Sequence, residues 1–157
     1  MKNKFSVLVD STYILPAFGI GVQGLNDEDL MKLELLRKRG VVEFYYSDII
    51  WIEVIPKVRR EYGKKRERLD VKILIENVET IRETFKIAQV GSKAIEIAFK
   101  LREIGHRDMI DNLLYGISIE HQLYLLTLDR IFKSFIKSVG LDVSTIIDHV
   151  ELFKLLK

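Results

Sequence analysis

The amino-acid sequence predicts an α/β fold built around a mostly parallel sheet, and three observations carry that prediction. Two short apolar runs without polar alternation, Phe5 to Val9 and Leu123 to Leu128, read as strands covered on both faces. Each ends in an acid, Asp10 and Asp129. Between the strand-like runs lie amphipathic segments with capping residues at their starts and glycines at their ends, which read as helices.

The 157 residues suit one domain, residues 1–157. With 48% hydrophobic and 31% charged residues the chain is globular and not disordered. It contains no cysteine, which removes disulfide scaffolds, zinc ribbons and thiol catalysis and suits a reducing cytoplasm. The opening MKNKFSVLVD turns acidic too early for a signal peptide, and no apolar run reaches the length of a membrane span, so no membrane partner is expected. A net charge of +2 means that a polyanion would have to be held by a local patch.

In chain order, Asp10, Ser11 and Thr12 follow the first strand, and a brief helical turn is expected through Phe18 with Pro16 inside it. Gly19, Gly21 and Gly24 spell GxGxxG, but nine residues separate them from the strand tip and a polar segment follows, so they predict a loop and not a dinucleotide site. Asn26 caps a helix from Asp27 to Arg39, with Gly40 as its stop, and Val41 to Tyr46 reads as the second strand. The next helix carries IIWIEVIPKV, in which Glu53 is a lone acid among apolar neighbours and Pro56 is expected to bend or interrupt the helix. From Lys57 to Lys72 the chain is basic, with Lys57, Arg59, Arg60, Lys64, Lys65, Arg66 and Arg68 as candidate nucleic-acid contacts and Tyr62 available for stacking. Leu74, Val78, Ile81 and Phe85 recur at helical spacing, and Phe85 to Val90 reads as a short strand or a loop. Ser92 is expected to cap a helix through Ile104.

A further helix begins near Asp108, with Asp111 in its first turn, and leads into the strand tipped by Asp129. A helix falls about 1.5 Å per residue, so Asp111 to His121 descends roughly 15 Å. A strand rises about 3.3 Å per residue, so Tyr124 to Asp129 regains roughly 16 Å. Asp111 and Asp129 are therefore expected at one level, on the sheet edge where open α/β folds bind ligands. An amphipathic helix from Arg130 to Val139, a strand from Val143 to Ile147 and a terminal helix opened by the Asp148 and Glu151 capping pattern complete the chain. His106, His121 and His149 share no ligand spacing and read as surface or helix-end residues.

Asp10, Glu53, Asp111 and Asp129 thus form a candidate catalytic and metal-binding set. Four carboxylates drawn together raise one another's pKa unless a cation separates them. An all-oxygen donor set favours Mg²⁺ or Mn²⁺ over zinc. Asp108 adds a further carboxylate, either supporting the site or forming a capping pair with Asp111.

The segments VLVDSTYIL, SDIIWIEV and DNLLYGISIEHQLYLLTLD, with the closing strand, resemble the PIN domain, the nuclease fold of VapC toxins and of several RNA-processing factors. That resemblance implies a three-layer α/β/α sandwich, coordination of Mg²⁺ or Mn²⁺ by the acids, and endonucleolytic hydrolysis of RNA, with Ser11 and Thr127 as supporting hydroxyls. It implies RNA as substrate and, in the toxin setting, an antitoxin-like protein as partner, with a homodimer left open. The resemblance departs from the toxin pattern at Asn112, Tyr115 and Gly116, and at Arg130 to Phe132, where a further acid is absent. The alternative from another class is a non-catalytic module that keeps the fold for RNA or protein binding.

Overall fold

The structure, a computed structural model, describes residues 4–157; the first three residues of the opening segment read above against a leader lie outside the described residues. Five parallel strands run in the order β3-β2-β1-β4-β5: β1 (Phe5–Val9), β2 (Val42–Tyr46), β3 (Lys86–Ile87), β4 (Tyr124–Leu126) and β5 (Ile146–Ile147). Helices cover both faces: α1 (Ser11–Ile14), α2 (Asp27–Lys38), α3 (Trp51–Lys64), α4 (Val71–Thr84), α5 (Ser92–Glu103), α6 (Met109–Glu120), α7 (Arg130–Ser138) and α8 (His149–Leu155). The three-layer sandwich expected from the sequence is what the chain forms.

β1 is the centre of the sheet, and its three fully covered residues, Val7, Leu8 and Val9, are all apolar. Val7 and Val9 enter the core beneath α2 and α3, while Leu8 enters the core beneath α5, α6 and α7. The neighbouring strand β2 alternates instead, burying Val42, Phe44 and Tyr46 while Glu43 turns outward to Lys86 and accepts from the Tyr45 hydroxyl at 2.6 Å. A half-covered strand is expected to read this way.

Several boundaries differ from the expectation. Pro56 does not interrupt α3, which runs on to Lys64. The missing proline N–H releases only the carbonyl of Ile52, a residue 71% exposed, where water can satisfy it. The segment Phe85 to Val90 does contain a strand, two residues paired with β2. β4 and β5 are shorter than the apolar runs that announced them. Ser92 is the first residue of α5 and not its cap; Glu120 at the end of α6 takes that role, accepting from the N–H groups of Gly91 (2.9 Å) and Lys93 (3.1 Å). α5 and α6 meet closely because a Cβ on Gly116 would fall 2.5 Å from the carbonyl oxygen of Ala94.

α1 and α8 are joined. The Tyr13 hydroxyl accepts from the His149 backbone N–H (3.1 Å) and pairs with Nδ1 of its ring (3.0 Å), while Nε2 lies 3.3 Å from Asp29. Burial pushes the tyrosine hydroxyl above its ordinary pKa, so it stays protonated as a donor. His149 is therefore a buried helix-start residue and not a surface one. Among the described residues no helix is long and apolar enough to cross a membrane.

Candidate active site at the sheet edge

β1 and β4 lie side by side, and their tips carry Asp10 and Asp129. The Asp10 backbone N–H donates to Leu126 across the strands at 3.1 Å. The Thr127 hydroxyl joins the two acids: it donates to Asp10 Oδ2 and accepts from the Asp129 backbone N–H at 3.0 Å. Asp10 Oδ1 accepts from Thr12 N–H at 2.9 Å, which starts α1, and Asp129 Oδ1 accepts from Phe132 N–H at 2.9 Å, which starts α7. Both strand-tip acids are thus helix caps, and the capping geometry fixes where their second oxygens stand.

Burial drives the Asp10 carboxyl up to about 6, against the hydrogen bonds from Thr127 and Thr12 that favour its charge; the Glu53 carboxylate adds a smaller upward push. Asp111, in the first turn of α6, is driven up to about 7, first by burial and then by the negative charges of Asp108, Asp129, Glu53 and Asp10. That list of neighbours places the four candidate acids in one electrostatic field. Asp108 caps α6 through the N–H groups of Ile110 (3.0 Å) and Asp111 (3.2 Å) and faces the site only as a charge.

Glu53 stands differently. Its Oε1 accepts from the buried Ser11 hydroxyl at 2.7 Å and from the Lys57 ammonium one turn along α3; the ammonium also reaches the Ser11 oxygen at 3.2 Å. Lys57 therefore belongs to the acid site and not to the basic patch in which its sequence neighbours placed it. The i,i+4 spacing from Glu53 was the signal available for this. Of the remaining patch, Arg60 and Lys64 turn toward Glu61, while Arg59, Lys65, Arg66 and Arg68 are exposed. Tyr62 is not free to stack, since its side chain packs on the core and its hydroxyl donates to the Phe18 carbonyl at 3.2 Å.

Asn112, beside Asp111 and fully buried, clasps His106: Oδ1 pairs with His106 Nδ1 at 2.7 Å and Nδ2 donates to the His106 carbonyl at 3.0 Å. The His106 ring lies against Phe132 and Phe135 of α7, with centroids 5.0 and 4.9 Å away. This clasp fixes the start of α6, and with it Asp111, relative to the helix that Asp129 begins. The buried Asn112 was visible in the sequence only as a departure from the toxin pattern.

The donor set suits a hard divalent cation, since every candidate is a carboxylate and two are pushed toward protonation in the absence of positive charge. Among the described residues no three carboxylate or imidazole groups are arranged closely enough to enclose an ion as the side chains stand. Lys57 supplies the positive charge at Glu53 in this arrangement.

The family model described as PIN domain matches residues 7–137. No curated protein matches the chain by sequence. In structure the chain is similar to PAE2754 from Pyrobaculum aerophilum, with a TM-score of 0.61 and 14% identity over 97% of this chain and 89% of that one. It is also similar to VapBC2 from Rickettsia felis, solved bound to a DNA fragment from their promoter, with a TM-score of 0.59 and 16% identity over 92% of this chain and 97% of that one. At these identities the two structures speak for the fold.

Proposed function

The chain belongs to the PIN domain family, and from that premise we propose that it is a divalent-metal-dependent endoribonuclease, with the VapC type of toxin as one setting for that activity. The observation that carries the reading is the position of Asp111, whose carboxyl is driven up to about 7 by burial and by four surrounding acids. A charge arrangement this unfavourable is characteristic of sites built around a cation or a proton transfer.

Asp10, Asp111 and Asp129 are the proposed holders of Mg²⁺ or Mn²⁺. When bound, such an ion supplies positive charge to a phosphate oxygen and acidifies a water. Thr127 holds one Asp10 oxygen in place and keeps both strand-tip carboxylates in register. The Phe132 N–H fixes one Asp129 oxygen and leaves the other uncommitted. Glu53, oriented by Ser11, acts through water on the cation or as the base that orients the attacking water. RNA is the proposed substrate, and an antitoxin-like protein and a second copy of the chain are the proposed partners.

Asp10→Asn and Asp129→Asn are each expected to abolish Mn²⁺-dependent cleavage of RNA while the protein remains folded. Cleavage by both variants at the parent's rate would end this assignment. The second reading, a non-catalytic module, is favoured by the Lys57 contact to Glu53 and by the lack of a closed ion cage among the described residues. Thermal shift with Mn²⁺ separates the two, because an ion that binds only the folded chain raises its melting temperature. Without any rise the module reading is preferred.

A further inference from the structure

Beside the acids, between α7 and α8, the surface opens into a cavity of about 550 Å³ whose lining begins with Thr127 and Asp129 and continues past Arg130, Lys133, Lys137 and Lys154. Arg130, Lys133 and Lys137 share one face of α7, at spacings of three and four residues. They span about 10 Å of helix axis, close to the rise of three stacked nucleotides at about 3.4 Å each. Lys154 looks across from α8. Lys133 is engaged by Glu151 at 3.1 Å, whereas Arg130, Lys137 and Lys154 make no ion pair among the described residues. The lining also carries Asp148 and Glu151, but the first caps α8 and the second is taken by Lys133, so Arg130, Lys137 and Lys154 are the cations left to repel one another until an anionic chain is laid along them.

We propose that the α7–α8 groove is the track for the phosphate backbone of a single-stranded RNA, carrying the strand to the acids at Asp129. The inference rests on the nuclease reading for its direction, and it differs from the basic stretch at residues 57–72 as the site of attachment. That stretch has turned Lys57 inward and Arg60 and Lys64 toward Glu61. Its α3 cations from Arg59 to Lys64 also begin about 9 Å farther along the helix axis than Glu53. The groove, by contrast, shares two of its lining residues with the site. Contacts of this kind hold phosphates and do not read bases, so recognition along the groove is independent of sequence.

Fluorescence anisotropy of a labelled 12-nucleotide RNA in EDTA tests the track without any cleavage. The Lys137→Gln/Lys154→Gln double variant is expected to bind about tenfold more weakly near 0.1 M salt, and its log–log salt slope to fall by about 1.4, the share of two single-strand phosphate contacts. The Lys137→Arg/Lys154→Arg variant restores binding, which separates lost charge from lost folding. Arg66→Gln/Arg68→Gln is the control for the other basic stretch. A loss in the groove variant, with or without one in the control, supports the track. Parent-like binding by the groove variant, a loss in the control alone, or no binding by the parent overturns it. If the groove binds RNA but the parent never cuts it with Mn²⁺, the nuclease reading falls and the track stands.

Discussion

Lys57 stands one helical turn beyond Glu53, and its ammonium is bonded to the carboxylate that the sequence had offered as an unpartnered acid. The pair is about one-third exposed, Lys57 at 32% and Glu53 at 27% of their side-chain surfaces. Any cation that comes to depend on Glu53 has to share it or displace the lysine.

Lys57→Met, which keeps the length of the side chain and removes the charge, is accordingly expected to tighten Mn²⁺ binding. The gain is about fivefold, equivalent to the ~1 kcal/mol that a partly exposed ion pair contributes. Titration calorimetry measures it directly, and an unchanged or weaker affinity would show that Glu53 takes no part in holding the ion.

The acid site also makes stability depend on pH. Asp10 and Asp111 are raised from an ordinary value of 3.8 to about 6 and about 7. Between roughly pH 4 and 7 the folded chain keeps protons that the unfolded chain releases, so stability falls as pH rises through that window. Each titrating group contributes at most about 1.4 kcal/mol per pH unit. Urea unfolding in EDTA from pH 5 to 8 should show the decline, and Asp111→Asn should flatten its upper part. A parent stability that rises over the same range contradicts the burial of these carboxyls.

Thr127→Val removes the hydroxyl that serves Asp10 and Asp129 together. It is expected to lower stability by about 1–3 kcal/mol, the cost of leaving a buried acceptor and a backbone donor without partners. Thr127→Ser should recover most of the loss. Chemical denaturation of the three proteins decides between this account and simple packing, under which the serine variant, lacking the methyl group, would lose stability as well.

Gly116→Ala tests the close approach of α5 and α6. The added methyl would lie 2.5 Å from the Ala94 carbonyl oxygen and 2.9 Å from its Cα, both backbone atoms that can move only with the helix. Overpacking of this kind costs about 1–3 kcal/mol. A denaturation midpoint equal to the parent's would mean that the helices part at no cost.

Where one residue's character fixed its place, the fold was readable in advance. Phe5–Val9 forms the expected strand to the residue, because five apolar or small side chains with no polar alternation can be accommodated only in the middle of the sheet. Asn26 and Asp148 both open helices with complete capping boxes, a local pattern closed within three residues. Helix rise and strand rise alone predicted that Asp111 and Asp129 would approach each other, and the Asp129 charge is among those that push the Asp111 carboxyl up. What escaped depended on partners distant in sequence or on the choice of one rotamer. Glu120 caps α5 from nearly thirty residues away. Lys57 looked identical to its basic neighbours until the α3 backbone pointed it toward Ser11. Pro56 misled because its effect depends on whether water can reach one carbonyl.

The bond between Tyr13 and His149 sets an order of events during synthesis. α1, which Asp10 caps, holds a phenol whose partner leaves the ribosome 136 residues later. Until then the hydroxyl has only water to pair with, and the first turn beside Asp10 lacks its clamp. A nascent chain would therefore carry Asp10, Glu53, Asp111 and Asp129 for a time without the finished scaffold that aims them.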